Sequence, residues 1–429
     1  MTAQPSHSPS SPASLSRRLV VDMFSRMDRG SLTIDLPDGS QLKFGQSAHE
    51  KFPELPQGLS AKAHMRVSDE RFFRRCVSAG DIGFGESYVD GDWDTPDLAS
   101  VVAWFLLNID NAPTLSGSAR RLAHGWVMNL MRFSNRIGHL LRPNSEATVK
   151  RNIREHYDVS NDFFQKLLDP SMMYSSAIWG SDEDTLAQAQ ERKNESLCGL
   201  LKLTSSDHVL EIGTGWGGWS IHAASKYGCR VTTLTISQEQ FDLAKQRIAD
   251  AGLADRVDVQ LVDFRKWQGT YDKVVSIEMM EALGHQYLPD FCQFIARVLK
   301  PEGLVALQFI TCPDSRYKQF RQGVDFIQKH IFPGSLLLSL NRVNEQLTDA
   351  GGFVLNDVSD YGPHYAKTLN AWSRNLNDQR AEIEKLGFDE PFFRRWAYYF
   401  HYCEAAFAMR NISVVQTLHT RPNNLSLSK

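Results

Sequence analysis

The sequence predicts an α/β fold, a parallel sheet covered by helices that follows a smaller mixed α/β module. Three observations carry this. Short apolar runs alternate with longer helix-period segments between residues 209 and 310, the pattern of successive strand–helix units. A glycine-rich turn, Gly213-Thr214-Gly215-Trp216-Gly217-Gly218, joins the first of these strands to a helix. The length of 429 residues, 42% of them hydrophobic and 23% charged, is enough for two or three cores at about 150 residues per domain.

Residues 1–16 are rich in Ser, Pro and Ala and hold too little apolar surface to offset the entropy of ordering, so they read as a disordered tail. From Ser31 to Phe44, alternation around Pro37-Asp38-Gly39 predicts two short strands and a turn. Residues 69–98 combine a short helical pattern with a Gly-rich, acidic and aromatic turn region, within an N-terminal module spanning 17–145. Between Ala112 and Arg151 there are seven Lys or Arg against one acid, Glu146. Leu122, Trp126, Leu130, Phe133, Ile137 and Leu141 recur there at steps of three and four, on one helical face. Such a basic amphipathic helix lies on an anionic bilayer surface or packs on a core, and the sequence leaves both open. Arg142-Pro143-Asn144-Ser145 reads as a linker, and 146–429 as the second domain. Its strands are expected at 209–213, 231–236, 257–262, 273–278 and 304–310, with helices at 222–227, 239–251 and 288–299.

A formal charge of -3, from 47 Lys and Arg against 50 Asp and Glu, excludes an overall field that would hold the chain on nucleic acid. The six cysteines show no CxxC pair or zinc-ligand spacing and read as buried thiols of a reducing compartment. No run approaches the roughly 18 apolar residues of a spanning helix, and the opening residues lack a signal-peptide core. The expected location is therefore cytoplasmic. There is no HExxH motif or Cys/His cluster for a metal and no GxSxG elbow for a serine hydrolase.

The Gly213, Gly215 and Gly217 turn lets backbone approach a ligand closely at a helix start. A dinucleotide site wants an acid at the end of the second strand, and Thr233-Leu234-Thr235-Ile236-Ser237-Gln238 supplies none. Instead Glu211 precedes the glycines, and Asp263 with Phe264 follows the third strand. An acid there can serve the amino group of a methionine moiety, while Asp263 takes an adenine amino group and Phe264 stacks on the ring. That layout suits S-adenosylmethionine.

LEIGTGWGGWSIHAA (210–224), HYDVSNDFF (156–164), DPSMMYSSAIW (169–179), TISQEQ (235–240), SIEMMEALG (276–284) and IQKHIFPG (327–334) resemble the cyclopropane fatty acid synthases, including the mycolic acid cyclopropane synthases. GESYVDGDW (85–93) resembles the N-terminal module of the longer bacterial members. The resemblance implies a Rossmann-like class I methyltransferase domain with a helical lid from about Asp314 to Asn341 and helices after Tyr365. It implies cofactor contacts from Tyr174, Ser175, the 209–217 loop, Thr235 to Gln240 and Asp263 to Arg265.

The resemblance further implies methyl transfer to the double bond of an unsaturated fatty acyl chain, expected in a phospholipid, through a carbocation. Loss of a proton from the new methyl closes a cyclopropane; other proton losses give a methyl-branched, methylene or methylated-diene product. The cation needs a dry pocket, electron-rich faces and a base. In the family the base is bicarbonate, held at positions matching Ser176, Glu281, Gln308, Ile310 and Tyr365. Gln308 stands where the family has His, and an amide donates a hydrogen bond but carries no charge. Glu278, three residues before Glu281, reads as a structural partner or turn-capping acid, and His285 as a potential partner of Glu281. Phe326, Phe332, Trp372 and Tyr399 line an acyl tunnel or simply fill the core. Expected partners are unsaturated phospholipid acyl chains and an anionic membrane surface touched peripherally, with a homodimer left open. Small-molecule N-methylation and non-catalytic lipid binding are the competing readings, to be separated by vesicle binding and cofactor binding.

Overall fold

The computed structural model describes residues 14–45, 54–109 and 160–428. They form two compact units, one on each side of the 110–159 segment. The basic amphipathic segment, the proposed linker and the residues before Ser160 of HYDVSNDFF lie outside the described residues.

In the first unit the expected hairpin is present. Strand β1 (Ser31–Asp35) pairs antiparallel with β2 (Gln41–Gly45), and the sheet continues through β3 (Lys62–Val67) to β4 (Trp93–Asp94). Leu32, Ile34, Met65 and Val67 alternate onto its buried face. Residues 15 and 16, expected within the tail, instead begin a helix Leu15–Phe24, and the Ser14 hydroxyl accepts from Arg17 N–H.

The Gly-rich run expected as a turn is helical instead, the second half of a helix Arg71–Val89 broken at Gly80 (φ 60°, ψ -130°). Mid-helix glycine costs about 1 kcal/mol, but aromatic burial outweighs it. The Phe84 and Trp93 rings lie 4.5 Å apart, and Trp93 Nε1 donates to Phe84 O at 3.1 Å. A Cβ on Gly83 would lie 2.2 Å from Arg75 O, so only glycine allows this close crossing.

In the second unit β5 (His208–Ile212), β6 (Arg230–Thr235), β7 (Val257–Leu261), β8 (Tyr271–Ile277) and β9 (Leu299–Thr311) build the expected parallel sheet. Helices Gly218–Tyr227, Gln238–Asp250 and Leu288–Val298 connect them. Two further strands, β10 (Val354–Asp360) and β11 (Ser413–Thr420), join antiparallel beside β9, giving the order β10-β11-β9-β8-β5-β6-β7. Neither was foreseen. β11 buries Gln416, Thr417 and His419 among its apolar residues, and β10 is an edge strand that keeps most side chains in solvent, so neither shows a clean apolar alternation.

The lid region holds short helices Tyr317–Gln322 and Phe326–His330 before the helix Leu340–Gly351. Helices Gly362–Asp378, Arg380–Glu384 and Glu390–Ala408 follow. All six cysteines are free thiols; five are buried and Cys403 is half-buried.

Candidate active site

A cavity of about 380 Å³ opens at the carboxyl ends of β5, β6, β7 and β8, where ligands collect in parallel sheets. Its walls are the glycine loop, the ends of these strands, the lid, and helices Gly362–Asp378 and Glu390–Ala408.

The glycine loop turns sharply out of β5. Gly213, Gly215 and Gly217 have φ of 101°, 52° and 81°, values that disfavour side chains. No atom lies within 4 Å of where a Gly215 Cβ would stand, so this backbone faces open space in the cavity wall. Trp216 closes the loop, with Nε1 donating to Asn161 Oδ1 at 2.8 Å and its ring 4.9 Å from Phe164. Phe164 also packs on Tyr174 at 5.2 Å, which places the phenol beside the loop; Trp372 supports Tyr174 from another side at 5.1 Å.

The polar residues expected to hold the cofactor all line this cavity: Tyr174, Ser175, Glu211, Thr235, Gln240 and Asp263. Glu211 Oε2 already accepts from Ser220 Oγ at 2.5 Å and Thr233 Oγ1 at 2.6 Å, and burial pushes its pKa up to about 7. Thr235 Oγ1 donates to Gln240 Oε1 at 2.9 Å. Burial would raise the Asp263 pKa, but bonds from Arg265 side chain and backbone outweigh it and lower it. Phe264 lies edge-on to Phe291 at 5.6 Å while contributing to the cavity wall. Open glycine backbone, a hydroxyl–amide pair, two acids and an aromatic wall are a donor set that fits S-adenosylmethionine.

The second half of the cavity holds two acids. β8 ends at Ile277, and Glu278 N–H still donates to Gln308 O at 2.7 Å, extending the sheet by one bond. Glu278 then takes φ of 47°, and a single 3₁₀ turn, Met280–Ala282, carries Glu281. Three donors meet on Glu278: Ser176 N–H and Gln308 Nε2 reach Oε1, each at 2.8 Å, and Tyr365 Oη reaches Oε2 at 2.7 Å. Glu281 Oε1 accepts from Ile310 N–H at 2.6 Å, while its Oε2 is buried without a hydrogen-bond partner. Burial first, and the neighbouring Glu278 charge second, push the Glu281 pKa up to about 8.

Gln308 is fixed by a buried chain. Ser196 Oγ donates to Gln416 Oε1 at 2.7 Å, Gln416 Nε2 to Gln308 Oε1 at 2.9 Å, and Gln308 Nε2 to Glu278. With its oxygen committed, the amide presents its N–H group to the carboxylate.

These contacts place each residue expected around a bicarbonate, and four of the five spend their donors on carboxylates of the chain itself. Ser176, Gln308 and Tyr365 serve Glu278, and Ile310 serves Glu281. Bicarbonate does not fit this site. Glu278, read from the sequence as a structural partner of Glu281 or a turn cap, is the centre of the polar network. His285 does not pair with Glu281; its ring bonds Tyr317 Oη at 2.8 Å and Arg321 at 3.0 Å. Of the four tunnel candidates, Phe332 and Tyr399 line the cavity; Phe326 packs on Tyr398 and Trp372 stands behind Tyr174.

Lys193 was not foreseen at all. Fully buried on the helix Leu186–Leu200, it donates to Ser175 Oγ at 3.1 Å. Burial lowers its pKa to about 8, while Glu278, Asp169 and Glu211 favour its charge. Its sequence neighbours Glu191, Arg192 and Glu195 are also charged, and nothing local distinguishes it from them. Among the described residues no cluster could hold a metal ion, and no helix is long and apolar enough to cross a membrane.

Comparison with known proteins places the site in context. Residues 144–417 match the family model described as mycolic acid cyclopropane synthetase. The chain is 38% identical over 357 residues to the tuberculostearic acid methyltransferase UfaA1 of Mycobacterium tuberculosis, covering 80% of this chain and 79% of that protein. It is 34% identical over 363 residues to the cyclopropane-fatty-acyl-phospholipid synthase of Escherichia coli, covering 84% and 89%. The crystal structure of mycolic acid cyclopropane synthase CmaA1 complexed with SAH and CTAB superposes with a TM-score of 0.58 at 31% identity, covering 63% of this chain and 98% of that one.

Proposed function

Because the chain belongs to the mycolic acid cyclopropane synthetase family and is an S-adenosylmethionine-dependent methyltransferase, we propose that it methylates the double bond of an unsaturated fatty acyl chain in a phospholipid, with a cyclopropane as product. When bound, S-adenosylmethionine supplies an electrophilic methyl group on a sulfonium. The residues of this chain do the rest. The glycine loop, Thr235, Gln240 and Asp263 hold and orient the cofactor. Lid residues such as Ile327, Phe332 and Leu337 exclude water from the alkene. The faces of Tyr174, Phe332, Tyr399 and Phe407 favour the positive charge left on the acyl chain.

The observation that carries this reading is a single cavity. The same cavity runs from the glycine loop past Glu278 and Glu281 to apolar lid and helix residues. A soluble polar substrate would find few polar partners in that far half.

A second product class shares the first step. The identity to a tuberculostearic acid methyltransferase favours a methylene product or a methyl-branched alkene, formed when a hydride shift precedes loss of the proton. Contact with an anionic membrane through the basic segment 112–151 belongs to the same proposal, and co-sedimentation with anionic vesicles reads it.

The deciding experiment expresses the protein in cells rich in monounsaturated phospholipids and supplies methyl-labelled methionine. Mass spectrometry then reads the fatty acids. Gain of one labelled CH₂ supports the proposal, and mild hydrogenation separates ring from methylene. Unaltered acyl chains alongside active cofactor binding overturn it.

A further inference from the structure

We propose that Glu278 is the base of the reaction, a carboxylate built into the chain that takes the proton from the acyl cation without any added anion. The inference rests on the acyl-methylation reading above and names the group that ends the step.

Glu278 is placed by geometry that a turn cap does not need. Its φ of 47° is a left-handed value that costs a residue with a Cβ on the order of 1 kcal/mol, and glycine would avoid that cost. What the strained position gives is a side chain aimed into the site, where three donors from separate elements converge on it. Ser176 comes from the segment before helix Leu186–Leu200, Gln308 from β9 and Tyr365 from helix Gly362–Asp378. A carboxylate presents the same planar pair of oxygens and the same negative charge that a small oxyanion would offer these donors.

The other acids of the cavity are otherwise engaged. One Glu211 oxygen is held by Ser220 and Thr233, and Asp263 is paired with Arg265 at 2.5 Å. Asp325 caps a lid helix through Gln328 N–H. Glu281 has one donor against three for Glu278, and with its pKa pushed up to about 8 it is mostly protonated at neutral pH. Glu278 is therefore the carboxylate on which the donors of the site converge. Burial raises its pKa, opposed by bonds from Gln308, Tyr365 and Ser176, which makes it a stronger base than an exposed glutamate.

The step balances. Methyl transfer leaves one positive charge on the acyl carbon next to the methylated one. A C–H bond of the new methyl breaks, its electron pair closes the third carbon–carbon bond of the ring, and the proton goes to a Glu278 oxygen. Carbocation and carboxylate are neutralised together. If a hydride shift comes first, the charge moves to the methylated carbon, the methyl C–H pair forms a C=CH₂ double bond on the open chain, and the proton still goes to Glu278.

The test uses the full chain with vesicles of a monounsaturated phosphatidylglycerol in carbonate-free buffer, with and without added bicarbonate. Binding of ¹³C-bicarbonate is followed by NMR line broadening, and S-adenosylhomocysteine affinity by calorimetry. The wild type is expected to turn over equally with and without bicarbonate and to leave the ¹³C line sharp. Glu278→Gln should lose about a hundredfold to ten-thousandfold in turnover, unrescued by bicarbonate, since the amide fills the same space. Glu278→Gly suits the left-handed backbone and frees the three donors, so it should lose turnover in carbonate-free buffer, broaden the ¹³C line and regain activity with bicarbonate. Wild-type turnover that requires bicarbonate, a broadened wild-type line, or a Glu278→Gln variant that works would each overturn the assignment. Absence of acyl methylation by the wild type would instead overturn the substrate reading, and the NMR comparison would still report whether Glu278 fills the anion position.

Discussion

Replacing Tyr365 with Phe tests how the site tunes its acid. The phenol donates to Glu278 Oε2 at 2.7 Å, and its ring stacks on Phe407 with centroids 4.4 Å apart. Phe keeps the ring and its packing but deletes one hydrogen bond to a charged group, worth about 1.5–3 kcal/mol. That bond favours ionised Glu278, so its loss should raise the Glu278 pKa by about one to two units. The sign follows: a base with a higher pKa is protonated over more of the acid range, so turnover falls there and recovers as pH rises. On that acid limb the expected loss is about tenfold to a hundredfold. Measuring kcat/KM from about pH 5 to about 9 should show the acid limb displaced upward by the same one to two units. S-adenosylhomocysteine affinity, read by calorimetry, should stay within about threefold. An acid limb that does not move, with activity lost uniformly or not at all, would refute the role given to this phenol.

Glu281→Gln mimics the protonated acid and can still accept from Ile310 N–H, so turnover should fall by less than about tenfold; a dead variant would assign the base to Glu281. Because the Glu281 pKa is raised to about 8, the native state binds more protons than the unfolded chain between about pH 5 and 8, and wild-type stability falls with rising pH. The stability advantage of the Gln variant in urea titrations should accordingly grow from about pH 5 to about 8, and a constant difference would contradict that. Lys193→Met removes a buried cation that favours the charge of Glu278 and Glu211, so the acid limb should again move upward while the melting temperature holds or rises. An unchanged pH profile would reduce Lys193 to a packing role. Gly83→Ala forces a Cβ against Arg75 O and should cost about 1–3 kcal/mol in thermal unfolding of the first unit; an unaltered transition would mean the helix crossing relaxes freely.

The parts of this molecule that could be read from sequence are those whose causes are local. Val209-Leu210-Glu211-Ile212 followed by three glycines states both a buried strand and a turn that needs left-handed backbone, and the structure supplies both. The parallel strands are apolar on both faces and announce themselves. β10 and β11 do not, because an edge strand such as Val354–Asp360 keeps polar side chains in solvent and β11 buries Gln416 for its bond to Gln308. The helix through Gly83 and Gly85 was misread for the opposite reason. Its local propensity is poor, and the Phe84, Tyr88 and Trp93 cluster that holds it exists only after folding.

The acids show where local reading ends. Glu278 and Glu281 are equally visible in SIEMMEALG, and spacing alone gives no reason to prefer one as the base. What separates them is how many donors each collects, and those donors stand at positions 176, 308, 310 and 365. Resemblance had drawn those four residues, with Glu281, into one cradle, yet it could not say that a neighbouring glutamate would reach into it first. The deciding feature is the backbone at Glu278. A glycine there would leave the donors facing the cavity, whereas a glutamate held at φ of 47° brings its own carboxylate to them. A single residue in a strained conformation thus determines whether the anion of this site is borrowed from solution or carried by the chain.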